Sequence, residues 1–464
     1  MVLAISTSIT NTGLRLSFTQ SSMSSRVEVV FPADIWTQFP TTLRAQLRDN
    51  VAYLATIELG LMFKEREIIY DTALPLFKSY FNDLFFRYFL YSGDADAGEG
   101  LKYHADFARL AIHFDPKRTL FKPEIFSVEE KSVNTLTFGK ESLLSYGLAL
   151  ELGLHPTLLT VLDSDLDVVF RGEKIQSFTN QHLLVLGKKF EHEFGVQIHF
   201  VENGLGHLRC NVNFDLDDTD LGSANVITEF MFLAIPIAFH SHSKYILFGN
   251  EYSCDLFYYN SEGYRCFPAY DQSTEWTSHM NGILDILTSG KVQTLSLVQP
   301  LQELAVAKIL YQRYPQFAKY QMSCHADNVY AKDNRWCGHC SKCARCYVFM
   351  KALGFDPATV GLCDMSGVEN KDYFSLFGNS KEMCPYDLAG VGRDEQLFAF
   401  WLAVKNGAQG ELFDLYRETY YDKVCEREQE LRRTFFSVYT PVNIPEYLRS
   451  KLKPIFEEEL RKVD

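Results

Sequence analysis

No stretch of this chain approaches the ~20 consecutive apolar residues needed to cross a bilayer. The longest apolar run, residues 230–239, is half that length and carries Pro236, so it reads as a buried helix. The first twenty residues are rich in Ser and Thr and lack a basic end followed by an apolar block, which argues against secretion. Basic residues are also short: 45 Lys and Arg face 59 Asp and Glu, a net charge of −14. Long nucleic acids bind mainly through neutralised phosphates, so this balance disfavours a DNA or tRNA partner. A small anionic ligand stays compatible, because a few backbone amides and one lysine suffice to hold it. Internal repeats and low-complexity linkers are missing too. The expectation is a cytoplasmic protein with no membrane and no nucleic-acid partner.

What is present is enough apolar residue, 47% of 464, to build two or three cored domains. With 37 Phe and 25 Tyr, much of that core should be aromatic. Eleven cysteines, several clustered, suit a reducing compartment and a metal site better than a disulfide framework.

The patterning divides the chain in three. Residues 1–128 form an α+β region, with strands expected at 14–18 and 27–31, helices at 42–61 and 74–91, and a glycine-rich loop at 92–100. From 129 to 320 the rhythm is strand and helix in turn. Strands are expected at 131–136, 157–162, 196–201 and 244–248, and helices at 140–152, 180–194 and 224–239. Such alternation predicts an α/β fold with a parallel, doubly wound sheet. Residues 321–464 carry a cysteine cluster and helices at 394–404, 411–436 and 445–463.

Two local motifs carry chemistry. Thr137-Phe138-Gly139-Lys140-Glu141-Ser142 sits between a strand and a helix, so a glycine turn opens a helix N-terminus. Free N–H groups and the helix dipole favour a phosphate there, Lys140 adds a positive charge, and the Ser142 hydroxyl can donate. The plainer reading is a glycine turn with Ser142 as a cap; the glycine spacing is not that of a Walker loop. The second motif is Cys324, Cys337, Cys340 and Cys343, a C-x12-C-x2-C-x2-C series with Cys346 three residues on. Thiolates two apart in a tight knuckle reach one tetrahedral ion, so a structural Zn²⁺ is expected, with an iron–sulfur cluster the competitor. Cys343 keeps the two-residue spacing; Cys346 is the alternative fourth ligand.

The loop resembles the pyrophosphate-binding loop of the PP-loop ATP pyrophosphatase superfamily, usually Ser-Gly-Gly-x-Asp-Ser. It departs at Thr137, Phe138 and Glu141. The knuckle looks like that of 7-cyano-7-deazaguanine synthase, another PP-loop enzyme. Three further segments, Phe248-Gly249-Asn250-Glu251-Tyr252-Ser253, Pro300-Leu301-Gln302-Glu303-Leu304-Ala305 and Arg335-Trp336-Cys337-Gly338-His339-Cys340, narrow the match. In order and spacing the set is similar to the ATP-dependent UDP-N-acetylmuramoyl-L-alanyl-L-glutamate epimerase family of bacterial peptidoglycan (cell-wall) biosynthesis.

That resemblance implies an isomerase using ATP and Mg²⁺. It would activate a terminal L-glutamate as an acyl-adenylate, release AMP and pyrophosphate, and invert the acidified α-centre. It implies a PP-loop domain over 129–320, and a nucleotide-linked peptide or other carboxylate as substrate. Residues 1–128 are then expected to serve substrate recognition. Thr137, Gly139, Lys140, Glu141, Ser142, Asn250, Glu251 and Ser253 would form the nucleotide site. Glu251 would ligate Mg²⁺ or act as base. A family histidine is absent from the stretch at 270–276, leaving Asp271 or His279 in its place. Glu303 and Lys308 are expected as exposed helix residues or substrate contacts, and Arg335 as a carboxylate or phosphate ligand. The alternatives are a PP-loop ligase passing the activated carboxylate to an amine or ammonia, and a nucleotide-binding regulator without turnover. Oligomeric state is not legible.

Overall fold

Burial alternates with period two from the second residue. In the computed structural model, β1 (Val2–Ile9) buries Leu3 and Ile5, β2 (Gly13–Gln20) buries Leu14, Leu16 and Phe18, and β3 (Met23–Val30) buries Val27 and Val29. The structure describes residues 2–20, 23–96, 100–116, 126–163, 167–170, 173–217, 219–326, 329–378 and 390–462. The chain continues through β4 (Glu67–Tyr70), β5 (Ala111–Phe114), β6 (Glu129–Thr135) and β7 (Thr157–Asp163). A small ribbon, β8 (Asp167–Phe170) and β9 (Glu173–Gln176), precedes β10 (Ile198–Asn203) and β11 (Ser243–Leu247). A second ribbon, β12 (Tyr258–Tyr259) and β13 (Arg265–Cys266), precedes β14 (Gln293–Leu295).

Ten of these strands form one sheet in the order β14-β11-β6-β7-β10-β3-β2-β1-β4-β5. The run from β14 to β10 is wholly parallel, as expected from the strand–helix rhythm. In the other half β1, β2 and β3 form an antiparallel meander, and β4 and β5 add in parallel to β1. The halves join where β10 pairs antiparallel with β3, through Glu202 opposite Val30 and Asn203 opposite Val29. The sheet therefore runs unbroken across the sequence boundary at 128.

Helices cover both faces. On one, the helices Thr41–Thr56, Lys78–Ala95 and Val226–Ser241 share a core with Leu3, Phe18, Leu54, Phe81 and Trp276. The stretch 220–241 is by length and composition the one described helix apolar enough to cross a membrane, and 82% of its apolar window is buried inside the protein. It is a core helix, and eight consecutive buried residues from Met231 to Ala238 explain its all-round hydrophobicity. On the other face, the helices Lys140–Glu151, Thr179–Phe194 and Glu303–Arg313 pack with the C-terminal helices around Phe138, Tyr146, Phe190, Phe398 and Trp401.

Some sequence expectations are corrected. Residues 92–95 are helical, the last turn of Lys78–Ala95, where glycine and aspartate signalled a loop. Residues 97–99 of that expected loop lie outside the described residues. The helix expected at 411–436 is two, Glu411–Thr419 and Tyr421–Phe435. β1 was masked in the sequence by its Ser and Thr residues.

Candidate functional site

β6 is the first strand of the parallel half, with β7 on one side and β11 on the other. The strand order reverses between β6 and β11, and ligands of open α/β sheets bind outside the carboxyl ends at such a switch point. The loop after β6 carries residues 137–142, and the turn after β11 carries 248–253; both expected segments thus lie side by side at the carboxyl ends of neighbouring strands. Gly249 fits that approach closely, for a Cβ there would stand 2.6 Å from the Cβ of Glu141.

Within the first loop, Phe138 adopts the left-handed conformation (φ 58°) that glycine takes more cheaply. Its ring is fully buried against Phe190 and Tyr320, 5.7 and 6.4 Å between centroids. Its carbonyl accepts from the Met322 N–H at 2.8 Å. The side chain that departs from the glycine pattern is turned into the core. Gly139 is the residue before the helix Lys140–Glu151, whose first-turn N–H groups have no intrahelical acceptor. Ser142, expected to donate to a phosphate, spends its hydroxyl inside the loop: Oγ donates to Gly139 O at 3.0 Å and accepts from Thr137 N at 3.3 Å.

Three carboxylates converge here. Glu141 comes from the first helical turn, Glu251 from the turn after β11, and Glu303 from the first position of the helix Glu303–Arg313. One oxygen of each lies within 4.8 Å of the others. Ser253 Oγ donates to Glu251 Oε1 at 2.7 Å. Lys140 Nζ contacts Glu141 and lies 3.5 Å from Glu303, and Arg345 Nε lies 3.0 Å from the same Glu303 carboxylate. Burial pushes the Glu251 carboxyl up to about 8, helped by Glu141 and Glu303. Burial opposes the Lys140 charge, yet Glu141 and Glu303 prevail and hold its ammonium well above the ordinary lysine range. Three carboxylate oxygens gathered within 4.8 Å, one of them on a carboxyl held protonated by burial and by its neighbours, could hold a metal ion, and oxygen donors suit a hard cation.

The cysteine series forms the second centre. The sulfurs of Cys324, Cys337, Cys340 and Cys343 lie within 4.8 Å of one another and are largely buried, with Cys337 Sγ 3.7 Å from Cys343 Sγ. Tetrahedral Zn–S bonds of ~2.3 Å separate sulfurs by roughly 3.8 Å, so the group can hold a structural metal such as zinc. Backbone N–H groups of Ala326, Cys337, His339 and Cys343 point at these sulfurs at 3.3–3.4 Å, as thiolates require. Gly338 has φ +68°, and a Cβ there would meet Cys363 Sγ at 2.6 Å. Cys346, the alternative ligand, is outside the group. It is buried, and the Gln321 amide donates to its sulfur at 3.7 Å.

Other expected residues stand elsewhere. Asp271 is buried before the helix Thr274–Thr288, where it accepts from Ile227 N at 3.2 Å, and burial raises its carboxyl to about 7. It belongs to a second polar group that includes Arg209, whose guanidinium pairs with Asp163 and with Glu229 at 2.8 Å. His279 lies 3.9 Å from Asp83. Glu303 and Lys308, expected as exposed helix residues or substrate contacts, are both buried; Lys308 Nζ donates to Lys462 O at 2.9 Å. Arg335, expected to hold an acid or phosphate, donates to the carbonyls of Val360 and Lys319, both at 2.7 Å. Trp336 is packing, with Nε1 on Val360 O at 2.9 Å. Asn250 is buried next to Glu251. The residue that sequence reading missed is Arg345: as one arginine after a cysteine knuckle, it carries no signal of a partner 42 positions earlier.

Compared with protein-family models and with curated proteins, the chain matches none.

Proposed function

We propose that this chain is an ATP- and Mg²⁺-dependent enzyme of PP-loop type that inverts the α-centre of a terminal L-glutamate, on a substrate such as UDP-MurNAc-L-Ala-L-Glu. The observation that carries the reading is the junction of Glu141, Glu251 and Glu303 with Lys140 at a helix N-terminus beside the strand switch point. The order and spacing of the quoted motifs supply the substrate class.

Bound ATP would supply the activation that removes the charge of the substrate carboxylate and so acidifies its α-proton. The N–H groups of the first turn after Gly139 and the ammonium of Lys140 would bind the phosphates, while the Phe138 ring packs inward against Phe190. Glu141, Glu251 and Glu303 would hold Mg²⁺, exchanging the proton on Glu251 for the cation. Thr137 and Ser142 keep the turn in shape through their mutual hydrogen bonds. Ser253 orients Glu251.

The test is incubation of the protein with ATP, Mg²⁺ and UDP-MurNAc-L-Ala-L-Glu, measuring AMP and the chirality of the glutamate. AMP with D-glutamate is expected. AMP only with added amine would replace the epimerase by a ligase, and no AMP with any acid would leave a regulator. In Lys140→Ala, AMP formation should be lost with the fold intact; unchanged turnover refutes the role of the loop.

A further inference from the structure

The cysteine centre and the carboxylate cluster are joined by one helix. Cys340 is the N-cap of the helix Ser341–Ala352, and its sulfur accepts from the Cys343 N–H at 3.4 Å. Cys343, in the first turn, turns its thiol to the metal group. Arg345 follows two residues later, roughly 200° around the helix. It therefore projects from the opposite face, and there its guanidinium meets Glu303 at 3.0 Å. Both side chains are about nine-tenths buried (8% exposed each). Glu303 belongs to a different helix, and its carboxylate is also the one that Lys140 Nζ reaches at 3.5 Å.

We infer that Arg345 is a positioning residue for the cation site, and that the cysteine metal centre sets its reach by fixing the start of the helix Ser341–Ala352. The inference rests on the reading of Glu141, Glu251 and Glu303 as a divalent-cation site. A guanidinium beside a cation site is electrostatically unfavourable to the cation. Its use here is geometric: the buried ion pair at 3.0 Å keeps the Glu303 carboxylate beside Glu141 and Glu251. A metal-filled knuckle prevents the first turn of the helix from fraying, and a frayed turn would let Arg345 withdraw.

Charge and position predict opposite signs, which makes the test decisive. The probe is Mn²⁺ alone, its binding to the full-length, zinc-loaded protein followed by the electron paramagnetic resonance of the free ion. Removing a positive charge in Arg345→Met should tighten Mn²⁺ binding if charge alone matters. Positioning predicts a loss of about tenfold or more in Arg345→Met and a loss also in Arg345→Lys, which keeps the charge but not the guanidinium geometry. Cys340→Ser removes a metal thiolate but keeps a strong N-cap residue, so the helix retains its cap. It should weaken Mn²⁺ binding as well. Binding equal to or tighter than wild type in Arg345→Met or Cys340→Ser overturns the inference. Should Arg345→Met not fold, Arg345→Lys decides: a loss supports positioning, and wild-type binding refutes it. Absence of any Mn²⁺ binding that Glu251→Gln removes from the wild-type protein overturns the cation site and this inference together. A wild-type site lost in Glu251→Gln but indifferent to Arg345 overturns this inference alone.

Discussion

Replacing Glu251 by Gln tests the electrostatics of the carboxylate cluster without reference to any substrate. The Glu251 carboxyl, ordinarily near 4.5, is held at about 8 in the folded protein by burial and by Glu141 and Glu303. Between those two values the native protein keeps a proton that the unfolded chain releases, so stability falls as pH rises through the window and levels off above about 8. Each unit is ~1.36 kcal/mol, so at pH 7 the cost is roughly 3 kcal/mol. Glutamine is neutral and of the same shape. In the absence of added divalent ions, Glu251→Gln should therefore be more stable than wild type by about 3 kcal/mol at pH 7, and its stability should lose that slope between pH 5 and 8. The assay is urea unfolding followed by circular dichroism across that range, without chelators, so that the thiol-bound metal is undisturbed. Millimolar Mg²⁺ should then stabilise wild type and leave the variant nearly unchanged, because binding to the native state alone raises stability. A wild-type profile flat from pH 5 to 8, or a variant less stable at pH 7, would refute the reasoning.

Further outcomes follow from the same geometry. Phe138→Gly relieves a left-handed phenylalanine but empties a fully buried site, so calorimetry should record a net loss of about 2–4 kcal/mol; a gain would show that backbone strain outweighs packing. Gly249→Ala puts a methyl 2.6 Å from the Glu141 Cβ, which must push the two loops apart and weaken Mn²⁺ binding several-fold; unaltered binding would place the loops farther apart than described. Metal analysis should find one zinc per chain in Cys346→Ser and less than half of that in Cys343→Ser; the reverse pattern would exchange the two sulfurs.

The parts of this protein that the sequence determines are those made by neighbours along the chain. The strand–Gly139–helix turn and the knuckle of Cys337, Cys340 and Cys343 depend on hydrogen bonds and spacings within a few residues, and the strand–helix rhythm on periodicity within each segment, so they are legible before folding. The Ser- and Thr-bearing β1 was not legible, because only its pairing with β2 and β4 turns Leu3 and Ile5 inward. Nor was the seam between β10 and β3, which joins residues more than 170 positions apart into one sheet. The cluster of Glu141, Glu251, Glu303, Lys140 and Arg345 is likewise a product of tertiary structure. Its four contributing segments are individually ordinary; their charges interact strongly only because the fold buries them together, where Coulomb energies fall with distance in space and take no account of distance in sequence.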